Sequence, residues 1–105
     1  MINPLVSIIM PVKNTSKFLD DCLDSIINQT YQNWELLAVD DASSDNSFSI
    51  LKAYADKDVR IKPFQNNGKG IIEALRLAYS KSSGELISRM DSDDIMTLDK
   101  LSIMS

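Results

Sequence analysis

The sequence predicts an α/β fold built on a parallel sheet, and three observations carry that prediction. Short apolar runs alternate with segments of helical periodicity along the chain. The first run, Leu5 to Val12 (LVSIIMPV), is almost continuously apolar, as expected of a strand buried on both faces. The polar clusters PVKN, DDASSDNS and DSDD follow the first, second and fourth runs, which gathers them on one rim. In open α/β sheets, ligands bind at that rim, beyond the carboxyl ends of the strands.

Each element has its own signal. From Lys17 to Gln29 the apolar residues Phe18, Leu19, Cys22, Leu23, Ile26 and Ile27 recur as pairs every fourth residue, which lines one helical face. Thr15 or Ser16 can cap that helix, and Asp20 and Asp21 lie near the positive end of its dipole. Trp34 to Val39 reads as a second strand, closed by Asp40, Asp41 and the polar turn from Ala42 to Asn46. Ser47 to Ala55 is a second amphipathic helix carrying Phe48, Leu51 and Tyr54. Val59 to Phe64 is a more polar strand, expected at an edge, and QNNGKG is a loop by composition. Ile71, Ile72, Leu75, Ala78 and Tyr79 mark a third helix, with Gly84 after its end. Leu86 to Met90 is the fourth strand, and a further helix is expected from Leu98 to Met104.

Composition narrows the chemistry. A chain of 105 residues forms one domain. A formal charge of −4 argues against a nucleic-acid binder, which would present a basic face. The single cysteine excludes an internal disulfide and a cysteine-rich zinc site. The absence of histidine removes Ser-His-Asp and Cys-His schemes, so carboxylates, lysine, hydroxyls and a hard metal remain. No apolar stretch is long enough to span a membrane, and none has the basic lead-in of a signal peptide. The expected location is therefore cytoplasmic, with any attachment to the inner face of a membrane left to regions outside these residues.

The stretch SRMDSDDIM places Asp91, Asp93 and Asp94 directly behind the fourth strand. In extended backbone, side chains two apart point the same way, so Asp91 and Asp93 would face one crevice while Ser92 turns aside. Magnesium takes one or two carboxylates, keeps waters and completes its shell with substrate phosphates. Two aspartates without histidine suit Mg²⁺ or Mn²⁺ rather than zinc; the alternative is a solvated turn. Calcium loops starting at Asp91 or Asp41 fail, because Met96 and Asn46 stand where the invariant glycine is required.

Asp41 can accept from the imide N–H of a base or cap the following helix, a task that Ser44 or Asp45 can also perform. Asn14 can hydrogen-bond a ligand or hold its own turn. NNGKG lacks both the P-loop and the dinucleotide spacing, although Lys69 and Arg76 could meet phosphate. Arg89 interrupts an apolar strand and, if buried, requires a carboxylate such as Asp40 or Asp91. Cys22 belongs to the core stripe.

Three ordered segments, VSIIMPVKN, NQTYQNWELLAVDDASSDNS and SSGELISRMDSDDIM, resemble the N-terminal half of family 2 glycosyltransferases over nearly the whole chain. The resemblance implies a Rossmann-like GT-A half-domain, with a mainly parallel sheet in the order 3-2-1-4, that binds a nucleotide-diphosphate sugar, expected to be a UDP-sugar. It implies that Pro11, Val12 and Asn14 line the nucleotide pocket and that Asp41 contacts the base. Asp93 becomes the ligand of Mg²⁺ or Mn²⁺, with Asp91 assisting the metal or touching the ribose. It further implies transfer with inversion to a hydroxyl of a glycan, lipid or protein, as in polysaccharide biosynthesis. The general base and the acceptor-binding half are then expected beyond Ser105, which makes residues 1–105 the donor part of a truncated enzyme. The sequence departs from the family pattern at Lys13, where an aromatic is common, and at Thr15 and Ser16, where a glutamate is common. Two other readings differ in class: a non-catalytic nucleotide- or partner-binding module, and a DxD-type phosphatase. The second is disfavoured because such enzymes place the acidic motif after the first strand.

Overall fold

The computed structural model describes residues 4–93 and residue 96. Four strands form one sheet: β1 (Val6–Val12), β2 (Trp34–Asp40), β3 (Ile61–Gln65) and β4 (Leu86–Arg89). Helices α1 (Ser16–Ile27), α2 (Ser47–Lys57) and α3 (Ile71–Lys81) connect them. The order across the sheet is β3-β2-β1-β4, as the resemblance implies, and every pairing is parallel.

Alternation along β1 assigns the two faces. Val6, Ile8, Met10 and Val12 join Leu19, Cys22, Leu23 and Ile26 of α1 and Leu51 of α2 in the larger core. Ile9 faces the other way, where Leu37 and Val39 of β2 meet Ala74 and Ala78 of α3. Helices thus cover both faces, and every residue of β2 is buried. Burying each large apolar side chain of the α1 stripe contributes about 1.5–3 kcal/mol.

Several expectations need correction. β3 starts at Ile61, and Val59 is 87% exposed. Asp58 ends α2 in extended backbone, its carboxylate accepts from the Arg60 backbone N–H, and its carbonyl accepts from the Ile61 N–H. Those bonds use Val59 as the tip of a turn. Phe18 lies off the buried α1 stripe, at 53% exposure. α3 buries its alanines, while Ile71, Ile72 and Tyr79 are exposed. Thr15 and Ser16 supply no side-chain cap to α1; the Ser16 N–H donates instead to Asp45 Oδ2, at 3.1 Å. The helix expected from Leu98 to Met104 lies outside the described residues. Among the described residues no helix is long and apolar enough to cross a membrane.

Candidate functional site

A cleft of about 340 Å³ opens at the carboxyl ends of the strands, within the size range of small-molecule sites. Pro11, Val12, Lys13 and Thr15 form one wall, where β1 runs out toward α1. Asp41 enters from the end of β2 and Ile71 from the start of α3. Asp91, Ser92 and Asp93 close the remaining side. Parallel strands bring these segments together because all four end on the same rim.

The acidic segment is a turn. β4 ends at Arg89, and residues 92–93 bend away from the strand direction. Asp91 and Asp93 are exposed and both line the cleft. Ser92 also lines it but is buried, and it shares a 2.8 Å hydrogen bond with the Thr15 hydroxyl. The convergence expected of extended backbone is therefore produced by a turn whose middle residue is anchored. Asp94 lies outside the described residues.

Arg89 corrects another expectation. It is exposed, because β4 is an edge strand among the described residues and no helix covers it there. Asp91 is the nearby carboxylate, 3.6 Å from Nη2, with both side chains more than half exposed. Such a pair contributes about 0–1 kcal/mol.

Asp41 is nearly buried and performs a structural task at the cleft floor. Its carboxylate accepts from the Gly70 N–H at 3.1 Å and from Asn66 Nδ2 at 3.1 Å, which fixes the QNNGKG loop. Gly68 and Gly70 have positive φ, and so does Asn67, so the loop's composition answers its backbone. Asp40 turns inward, accepting from the Ser43 N–H and hydroxyl.

Asn14 holds its turn and is absent from the cleft wall. Its Oδ1 accepts from the Ser44 N–H at 2.7 Å, and its own N–H donates to Ser43 Oγ at 3.0 Å. Its φ of 53° suits asparagine, which tolerates the left-handed region. Lys69 and Arg76 line a separate polar cleft beside α3, where Arg76 pairs with Glu73.

Lys13, Thr15, Ile71 and Ser92 also line the cleft, beyond the residues that the sequence motifs mark for it. Lys13 and Thr15 flank Asn14, and Ser92 separates the two aspartates, so adjacency was the available signal. Ile71 carried no signal beyond apolarity.

The donor set fits a hard divalent cation. Besides Asp41, whose carboxylate is taken up by Gly70 and Asn66, two carboxylates, Asp91 and Asp93, line the cleft, with neither thiolate nor imidazole among its lining residues. Among the described residues no group of three or more His, Cys, Asp or Glu side chains is placed to hold a metal ion. Asp91 and Asp93 would thus supply two positions, leaving the rest to water and phosphate oxygens, as magnesium commonly requires.

Comparison with known proteins identifies the family and the fold. The model for "Glycosyl transferase family 2" matches residues 7–104. A relative from Streptococcus pneumoniae serotype 4, the glycosyltransferase GlyG, is 42% identical over 93 residues, covering 88% of this chain and 31% of that protein. The Escherichia coli UDP-Glc:alpha-D-GlcNAc-diphosphoundecaprenol beta-1,3-glucosyltransferase WfgD is 44% identical over 99 residues, covering 92% of this chain and 38% of that one. Among solved structures, the Pyrobaculum calidifontis mannosyltransferase PcManGT in complex with GDP-Man and Mn²⁺ superposes with a TM-score of 0.88 at 26% identity. That match covers 96% of this chain and 31% of the other. S. aureus TarS in complex with UDP-GlcNAc gives a TM-score of 0.86 at 27% identity, over 94% of this chain and 29% of that one. The chain spans about a third of the length of the curated relatives it matches. With the three motif segments, the sheet order and the rim cleft in agreement, the chain belongs to glycosyl transferase family 2.

Proposed function

We propose that these residues form the donor-binding part of a metal-dependent, inverting glycosyltransferase that uses a nucleotide-diphosphate sugar, with UDP as the nucleotide. The observation that carries this reading is the convergence of Asp41, Asp91 and Asp93 on one cleft at the strand ends. The complexes of TarS with UDP-GlcNAc and of PcManGT with GDP-Man and Mn²⁺ support it by likeness.

Pro11 and Val12 form an apolar wall against which the nucleoside packs, and Asp41, held by Gly70 and Asn66, faces its base. Asn14 contributes by fixing the backbone of that wall rather than by touching the nucleotide. Asp93 holds a divalent cation, with Asp91 assisting or contacting the ribose. When bound, such a cation neutralises charge on the departing diphosphate. The acceptor hydroxyl, from a glycan, lipid or protein, loses its proton to a base that the resemblance assigns beyond Ser105.

Calorimetric titration of UDP into the chain, with Mn²⁺ and then with EDTA, tests the reading. We expect binding that requires Mn²⁺ and disappears in Asp93→Ala. Equal binding by Asp93→Ala would overturn the metal assignment. Preference for GDP or TDP would overturn UDP and leave the donor site standing, whereas no binding of any of the three would overturn the site itself.

A further inference from the structure

The turn that carries Asp91 and Asp93 is fastened from one side, by α1 and the loop before it. The buried Cys22 thiol donates to the Asp91 carbonyl at 3.8 Å, and Ser25 Oγ accepts from the Met96 N–H at 2.9 Å. Between them, the hydroxyls of Thr15 and Ser92 lie 2.8 Å apart. Thr15 is itself tied down: its N–H donates to Ser47 Oγ at 3.2 Å. The fully buried Ser47 hydroxyl donates to Asp45 Oδ1 at 2.6 Å. A run of polar contacts therefore reaches from the loop after β2, through Thr15, to Ser92.

We propose that Thr15 and Ser92 are positioning residues, whose shared hydrogen bond sets the separation of Asp91 and Asp93 for a cation and a diphosphate. The proposal rests on the donor-site reading above. Asp91 and Asp93 are exposed and of like charge, so their own interaction drives them apart until a cation binds. Ser92 is the residue between them, and it is buried. Anchoring its side chain fixes the backbone on both sides. The anchor is stable because a buried hydroxyl without a partner is costly, so Ser92 keeps Thr15 as long as the turn stays folded against α1.

The test uses Thr15→Val, Ser92→Ala and the double variant, with Thr15→Ser as the conservative control. The first readout is the Mn²⁺ concentration that half-saturates UDP binding. Each single change should raise it about tenfold, and the double variant should be no worse than the poorer single, as for two members of one contact. Thr15→Ser should stay close to the parent chain. Parent-like values in both single variants, or losses that simply add in the double, overturn the proposal. The second readout is amide hydrogen exchange at residues 90–93 without ligand. It should accelerate in both single variants while β1 and β2 stay unchanged. If the parent chain binds no nucleotide, the donor-site reading fails, and exchange alone judges the anchor: acceleration confined to the turn upholds it and unchanged exchange overturns it.

Discussion

A methyl group at Gly84 would lie 2.5 Å from Ser7 Oγ, 2.6 Å from the Leu5 carbonyl oxygen and 2.8 Å from the Ser7 nitrogen. Two of those atoms are backbone and cannot move without disturbing β1. Gly84→Ala should therefore cost about 1–3 kcal/mol, the range for overpacking a close contact. A lowered urea midpoint at unchanged slope would show it, whereas a parent-like midpoint would mean that β1 and β4 can separate without cost. The sequence reads Gly84 only as a residue after a helix, because its real neighbour, Ser7, lies 77 positions away. Asn14 shows the same limit. Its place on the rim is legible in PVKN, but its role depends on Ser44, which is 30 positions distant. At this scale, sequence identifies which residues are polar and near the site. It does not identify which polar atoms are already occupied by other loops.

Elements are more legible, because periodicity is local. Among the described residues every strand and helix is readable by type, and the expected bounds differ from those observed by a few residues. What periodicity did not resolve is how wide the buried stripe of a helix is. In α3 the apolar residues outnumber those the sheet can cover, and contact with Leu37 and Val39 falls to Ala74 and Ala78. The face of α3 against the sheet is that of its alanines, and Ile72 is 66% exposed. This predicts an inverted substitution pattern. Ala74→Leu should destabilise by about 1–3 kcal/mol, although leucine is nearly as good a helix former as alanine, because the core there is closed. Ile72→Lys should stay within about 0.5 kcal/mol, as exposed substitutions do. Thermal unfolding of the two variants decides it: a larger loss for Ile72→Lys would mean that its surface is covered in solution.

Across the sheet, the candidate site and the most connected buried carboxylate lie at opposite ends. The rim cleft lies at the carboxyl ends of the strands, while Glu35 sits near the amino ends and is almost fully buried. Its carboxylate accepts from Ser7 Oγ on β1 at 2.6 Å, from Lys62 Nζ on β3 at 2.9 Å and from the Ser83 N–H ahead of β4 at 2.6 Å. One side chain on β2 thus engages every other strand or its approach. Nothing in WELLAV marks that role, since a glutamate near a strand start is ordinarily solvated. Burial by itself raises the Glu35 pKa, but the hydrogen bonds from Lys62, Ser7 and Ser83 outweigh it and hold the group at about 2, below the usual 4.5. A carboxylate depressed on folding stabilises the folded state fully above the unfolded value. That contribution disappears as pH falls from about 4.5 through about 2. At neutral pH the shift corresponds to about 3 kcal/mol. Asp58, lowered chiefly by its bond from Arg60, adds a contribution of the same sign, so total acid sensitivity does not isolate Glu35. The difference between the parent chain and Glu35→Gln does. Urea unfolding at a series of pH values should show the parent's advantage as largest near neutrality and shrinking toward pH 2, with metal-dependent UDP binding at pH 7 unchanged. An advantage that stays constant with pH would mean that Glu35 stabilises the sheet by packing and neutral hydrogen bonds, and that its charge contributes nothing.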